Sequence, residues 1–226
     1  MELYEVMRTT PATRAFTDEP VPDTVVYRIL DHARFAPSGG NRQGWRVVLL
    51  RDPHVRRQIR DLYCLGWREY MAHVEAGLVP FAPQQDGRWS APAIDLEAAR
   101  RVPQPNEFAD HLDTVPVLLL LLADLSALAC VDNGLDRQSI VGGASIYPFA
   151  QNILLAARNE GLGGVLTSVL VRQEPAVREL IGIPRDHAIA GLIALGHPRR
   201  VVRKLHRRPV EQFTTMDRFD GPAFRP

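Results

Sequence analysis

Cysteine is scarce in this chain of 226 residues: there are two, Cys64 and Cys130, with no CxxC spacing. That argues against a disulfide framework and a thiolate zinc site, and fits a reducing, cytoplasmic setting. Charge imbalance is also lacking. The 27 basic and 26 acidic residues leave a formal charge of +1, so nothing in the balance calls for nucleic acid or an acidic membrane as partner. Long hydrophobic runs are missing as well: the longest, Val115 to Ala123, is interrupted by Pro116 and is too short to cross a bilayer as a helix. The opening MELYEVMRTT has early acids and no apolar stretch, so no secretion signal is expected. Repeats and low-complexity segments do not occur.

What is present is 46% hydrophobic residues, enough for a sizeable core in a single domain, 1–226. A short helix is expected over Glu2 to Thr9. After the extended Pro20-Val21-Pro22, Asp23 is expected to N-cap a helix with Val26, Ile29, Leu30 and Ala33 on its apolar face; its His32 reads as structural. Trp45 to Leu50 reads as a buried strand, and Asp52-Pro53 opens a long helix. Its apolar stripe is Val55, Ile59, Leu62, Tyr70 and Val74, with Arg56, Arg57, Arg60 and Asp61 on the wet side. Residues 77–110 are broken by prolines, and only Ile94 to Val102 suits a helix. This reads either as a lid or binding loop, or as a disordered insertion. Its Phe81, Trp89 and Phe108, with Trp67 and Tyr70, either line a pocket for a planar substrate or seal core or dimer surface. Val115 to Leu122 reads as a central strand buried on both faces. Gly142-Gly143-Ala144-Ser145 opens another helix, Glu174-Pro175 a shorter one, and Ile189 to Leu195 forms a last strand.

The most informative stretch is Ala36-Pro37-Ser38-Gly39-Gly40-Asn41-Arg42-Gln43-Gly44-Trp45. Pro37 stops the preceding helix, Gly39 and Gly40 permit positive φ and close approach of a ligand, and Trp45 can lock the turn to the core. Asn41 and Gln43 each offer a donor and an acceptor on a planar amide, which matches the pyrimidine edge of a flavin. By residue type alone the stretch is also an ordinary helix-to-strand turn. It resembles the P-S-x-x-N-x-Q-P-W motif of the nitroreductase family of FMN-dependent oxidoreductases, departing only at Gly44, where the family usually has proline. Further motifs resemble the same family in the same order. Arg14 and Phe16 fit R-R-S-x-R-x-F, although Thr10, Pro11 and Ala12 replace its first residues. Gly161-Leu162-Gly163-Gly164-Val165-Leu166-Thr167 follows a helix; a Rossmann fingerprint needs a strand before and a helix after it, so a dinucleotide fold is rejected. The basic tail from Arg199 resembles the family's C-terminus.

The resemblance implies an α+β three-layer sandwich, α/β/α, around a mixed, largely antiparallel sheet, built as an intertwined homodimer with FMN at the subunit interface. The 199–226 segment would be an arm reaching the partner. Cofactor-binding residues implied are Arg8, Arg14, Pro37, Ser38, Gly39, Asn41, Gln43, Leu166, Thr167, Arg207 and Arg208. Main-chain amides near Leu166 and Thr167 would face flavin N5, while Arg14 would support the reduced ring, with Arg8 a substitute phosphate contact. Arg207 and Arg208 would reach the phosphate. No residue acts as a catalytic nucleophile, because the flavin carries the chemistry; no metal is implied. The implied reaction passes electrons from NADH or NADPH to a small-molecule acceptor such as a nitroaromatic or quinone. The alternative is an FMN-storing protein without turnover. Bare arginines at 8 and 14 are otherwise solvated surface charges.

Overall fold

β2 (Val117–Asp124) is the axis of the architecture, with seven of its eight residues buried. This is what an uninterrupted aliphatic run does when both faces of its strand are covered. In the computed structural model, which describes residues 1–83 and 94–225, β2 pairs antiparallel with β1 (Trp45–Leu50) on one side. On its other side it pairs with β4 (His187–Gly196), and β3 (Gly163–Thr167) closes the far edge in the order β1-β2-β4-β3. All pairings among these strands are antiparallel. The expected parallel component is limited to an isolated bridge between Ala12 and Gly164.

Alternation along β2 divides the core. Leu118, Leu120 and Leu122 point to one side, where α3 (Pro53–Glu75), α5 (Glu107–Asp110) and α7 (Glu174–Ile181) supply Ile59, Tyr63, Phe108 and Val177. Val117, Leu119, Leu121 and Ala123 point to the other, against Val26, Ile29 and Ala33 of α2 (Asp23–Ala33) and Phe149, Ile153 and Ala157 of α6 (Tyr147–Asn159). The result is the expected α/β/α sandwich. α1 (Leu3–Arg8) packs on α6, and α4 (Leu96–Arg101) on α3. No described helix is long and apolar enough to cross a membrane.

Several local expectations are corrected. Pro22, not Asp23, precedes the first turn of α2; Asp23 is the first helical residue, and its carboxylate pairs with Arg51. β1 is only partly buried because it is an edge strand. On α3, Val74 is exposed while Arg56, placed on the wet side from sequence, is buried: its guanidinium donates to the carbonyls of Leu50, Asp113 and Val115. Arg56 is tolerated there because backbone acceptors replace water. The Gly142 to Ser145 segment is a separate 3₁₀ turn, Val141–Ser145, and α6 begins beyond it at Tyr147 with Pro148 in the first turn. By contrast, Asp52 caps α3 as expected, accepting from the amides of His54 and Val55.

Candidate functional site

The predicted site residues fall into two separate groups. The first is the turn before β1, which is held both from within and by Ser145. The Gln43 amide donates to Ser38 Oγ at 2.9 Å, and the Gly39 amide donates to Ser145 Oγ at 3.0 Å. Positive φ is found at Gly40 (60°), Asn41 (52°) and Gln43 (51°), and not at Gly39. Asparagine tolerates this region, whereas for Gln43 it is an uncommon conformation that the Ser38 bond helps to hold. The two amide side chains meet, with Gln43 Nε2 3.2 Å from Asn41 Oδ1, and both residues are exposed. Trp45 fastens the end of the turn by stacking on Phe149, 4.8 Å between centroids and 3° between planes.

Gly44 explains the departure from the family's proline. A Cβ added here would lie 2.7 Å from the Ala127 Cβ, so the chain passes too close to its neighbour for a side chain. The Gly44 carbonyl accepts from the Asp124 amide at 2.8 Å, which ties the turn to the end of β2.

The second group surrounds a cavity of about 350 Å³ lined by Arg14, Tyr63, Trp67, Tyr70, Asn106, Phe108, Thr167 and Val169. The segment carrying Arg14 runs beside β3, where the Thr13 amide donates to the Gly164 carbonyl at 2.9 Å. Glycine at 163 allows this approach: a Cβ there would sit 2.7 Å from Thr13 Oγ1. Thr167, the last residue of β3, is buried and shares a 3.0 Å hydrogen bond with the Tyr63 hydroxyl. Burial pushes the Tyr63 phenol above its ordinary pKa, against the opposing pull of the Thr167 bond and the Arg14 charge. Trp67 and Tyr70 are stacked at 5.2 Å, and Phe108 meets Tyr63 edge-on at 6.0 Å. Three of the aromatics expected to line a pocket thus do so, although Phe108 and Tyr63 also belong to the core. Phe81 packs against Tyr70 and His73 instead, and Trp89 lies outside the described residues.

Tyr63 and Asn106 were missed in the sequence. Tyr63 was legible: with Trp67 and Tyr70 it makes an i, i+4, i+7 face on α3. Asn106 carried no such signal, since its own side chain caps α5 by accepting from the Ala109 amide.

The remaining predicted residues are not gathered here by one chain. Pro37 and Arg8 are exposed, Arg8 on α1. Leu166 packs into the core layer under α6, on the opposite face from Thr167. Arg207 and Arg208 are exposed on the C-terminal segment, and neither lines the Arg14 cavity. The turn adjoins β1 and the Thr167 side of the cavity adjoins β3, the two edge strands of the sheet, which are three strand spacings or about 14 Å apart. Among the described residues no cluster of three or more His, Cys, Asp or Glu side chains is arranged to hold a metal.

The model of the Nitroreductase family matches residues 7–197. Iodotyrosine deiodinase 1 of Rattus norvegicus is 29% identical over 213 residues, covering 93% of this chain and 68% of the relative. NADH dehydrogenase of Thermus thermophilus is 29% identical over 205 residues, covering 88% of each. Among solved structures, an oxidized iodotyrosine deiodinase bound to FMN and 3-iodo-L-tyrosine superposes with a TM-score of 0.68 at 22% identity, covering 96% of this chain and all of the other. The NADPH:FMN oxidoreductase from Vibrio harveyi, complexed with NAD+, gives 0.67 at 19% identity, covering 96% and 77%.

Proposed function

The chain belongs to the nitroreductase family, and from that premise we propose that it is an FMN-dependent oxidoreductase working as a homodimer. Bound FMN would accept electrons from NADH or NADPH and pass them to a small acceptor such as a nitroaromatic or quinone. The observation that carries this reading is the separation of the two residue groups. Each is open at the surface of one chain, one offering planar amides and the other a guanidinium beside aromatic walls. They would serve one flavin if the turn of one subunit faced the Arg14 cavity of another.

In that arrangement Asn41 and Gln43 would bind the hydrogen-bonding edge of the ring, with Ser38 and Gly39 holding their backbone in place. Arg14 would place a positive charge beside the ring, and the end of β3 at Leu166 and Thr167 would present main-chain amides to it. The guanidinium groups of Arg8, Arg207 and Arg208 would serve the phosphate, the last two from the 199–226 arm. Exposed Phe213, Met216, Phe219 and Phe224 on that arm supply apolar surface for a second copy to cover. Residues around 77–110 would bound the acceptor side, where Asn106 and Phe108 already line the cavity.

A second acceptor class is favoured by the relatives. Several are named iodotyrosine deiodinases, and the cavity combines aromatic walls with a guanidinium, which suits a halogenated phenol. Reduction would then replace carbon–halogen by carbon–hydrogen, consuming two electrons and a proton and releasing halide. Storage of FMN without turnover is the competing outcome.

The test begins with the absorbance spectrum of purified protein, followed by anaerobic mixing with NADH or NADPH and then with a quinone, a nitroaromatic or an iodophenol. Flavin colour that bleaches and returns supports the enzyme; a flavin spectrum that no donor bleaches supports storage. Mixing Arg14→Ala with Asn41→Ala subunits, after dissociation and reassociation, should restore activity that neither shows alone. No restoration would place both groups in a site within one chain.

A further inference from the structure

Glu69 on α3 is completely buried, which for a carboxylate demands partners. It has two from different segments: Arg100 Nε of α4 at 2.6 Å on one oxygen, and Arg172 Nε of the 3₁₀ turn Val169–Gln173 at 2.7 Å on the other. Further contacts fasten the same region. Arg68 donates to the Arg100 carbonyl at 2.8 Å, and His73 Nδ1 lies 2.7 Å from the Glu69 carbonyl. The Arg172 guanidinium also lies over Phe81, which packs on Tyr70.

The position of this cluster gives it a consequence for the site. α3 carries Tyr63, Trp67 and Tyr70 of the cavity wall. The segment after α4 carries Asn106, and the turn bearing Arg172 carries Val169 and follows Thr167 with only Ser168 between. Three separately arriving walls are therefore joined at one carboxylate outside the cavity, for Glu69 does not line it. Structural packing alone would be served by an apolar residue, because a buried ion cluster has a desolvation cost that its attractions only partly offset. What the charges add is direction, since two guanidinium groups from different segments converge on the same carboxylate, Arg100 while also pairing with Glu97.

We propose that Glu69 is a positioning residue: by holding Arg100 and Arg172 together it sets the spacing of the acceptor-cavity walls and so the enzyme's discrimination between small and large aromatic acceptors. This rests on the flavoenzyme reading above. The test uses full-length holoprotein with Glu69→Gln, which keeps volume and removes charge, and Arg100→Gln, a milder change at a partly exposed site. Two quinones of different size, benzoquinone and menadione, are compared by kcat and KM, alongside flavin content and hydrogen exchange.

The ratio of kcat/KM for the two quinones should shift by about fivefold or more in each variant, mainly through KM, with flavin content unchanged. Exchange should quicken on both sides of the cluster, in 96–106 and in 169–173, even in Arg100→Gln. Parallel loss of activity on both quinones, or faster exchange confined to α4, would overturn the proposal and leave Glu69 a packing element. If Glu69→Gln does not fold, Arg100→Gln decides. Colourless wild-type protein refutes the flavoenzyme reading instead, and the exchange data then decide whether the walls are coupled.

Discussion

The hydroxyls of Tyr63 and Thr167 lie 3.0 Å apart across 104 positions of sequence and join the middle of α3 to the end of β3 inside the protein. Both residues line the Arg14 cavity, so the bond makes the shape of that cavity depend on how the long helix seats against the sheet. Tyr63→Phe keeps the ring and its edge-on contact with Phe108 but leaves Thr167 Oγ1 without this partner. A loss of about 1–2 kcal/mol is expected in denaturant unfolding, the usual consequence of a buried hydroxyl left unmatched. An unchanged midpoint would mean that Thr167 finds another partner.

Arg14 and Asn41 divide the proposed cofactor contacts between the two groups. Arg14→Ala should weaken FMN binding by about tenfold or more, as expected for a charge-assisted contact. The measurement is flavin stoichiometry after gel filtration, followed by fluorescence titration. Asn41→Ala should also lower flavin affinity or turnover, since the amide pair with Gln43 loses a member. Normal flavin content and kinetics in Asn41→Ala would reduce the residue to a turn former.

Asp132 gives a pH dependence. The Ile140 amide is the largest influence holding its carboxyl far below the usual range, with Ser139, Arg137 and the Val141 amide acting the same way and burial opposing them. Its folded pKa is depressed, so its contribution to stability is present above the unfolded value of 3.8 and is lost as pH falls below it. Asp132→Asn should therefore lower stability at pH 7 and flatten the decline below about pH 4. Thermal unfolding of both proteins across pH 3 to 7 checks this; parallel curves would contradict it.

Gly44→Ala tests the tight passage beside Ala127. A Cβ 2.7 Å from another Cβ forces movement of the turn or of the segment after β2, and a loss of about 1–3 kcal/mol is expected. Because the turn bears Asn41 and Gln43, flavin affinity should fall together with stability. A variant as stable as the parent would show that the 125–127 turn can yield.

Much of the sandwich was readable in the order of residues. Val115 to Leu122 announces a strand covered on both faces, and Asp52-Pro53 a helix start, because continuous apolarity and local capping chemistry act within a few residues. The turn from Pro37 to Trp45 was legible for the same reason, its one proline, its glycines and its amides specifying local geometry. Arg56 was not. Its place on the helix says only which way it points, and whether that direction holds water or the carbonyls of Leu50, Asp113 and Val115 depends on strands distant in sequence. Glu69 is a similar case: a charged residue on a polar-looking helix becomes a buried junction only when Arg100 and Arg172 arrive from two other segments.

The sequence by itself determined the family motifs, the Asp52 cap of α3 and the alternation that places β2 between two cores, since these rest on contacts between near neighbours. Only the tertiary structure decided that the amide turn and the Thr167 side of the Arg14 cavity adjoin opposite edge strands of the sheet. That separation comes from strand order, and strand order is set by long-range pairing that local residue preferences do not encode.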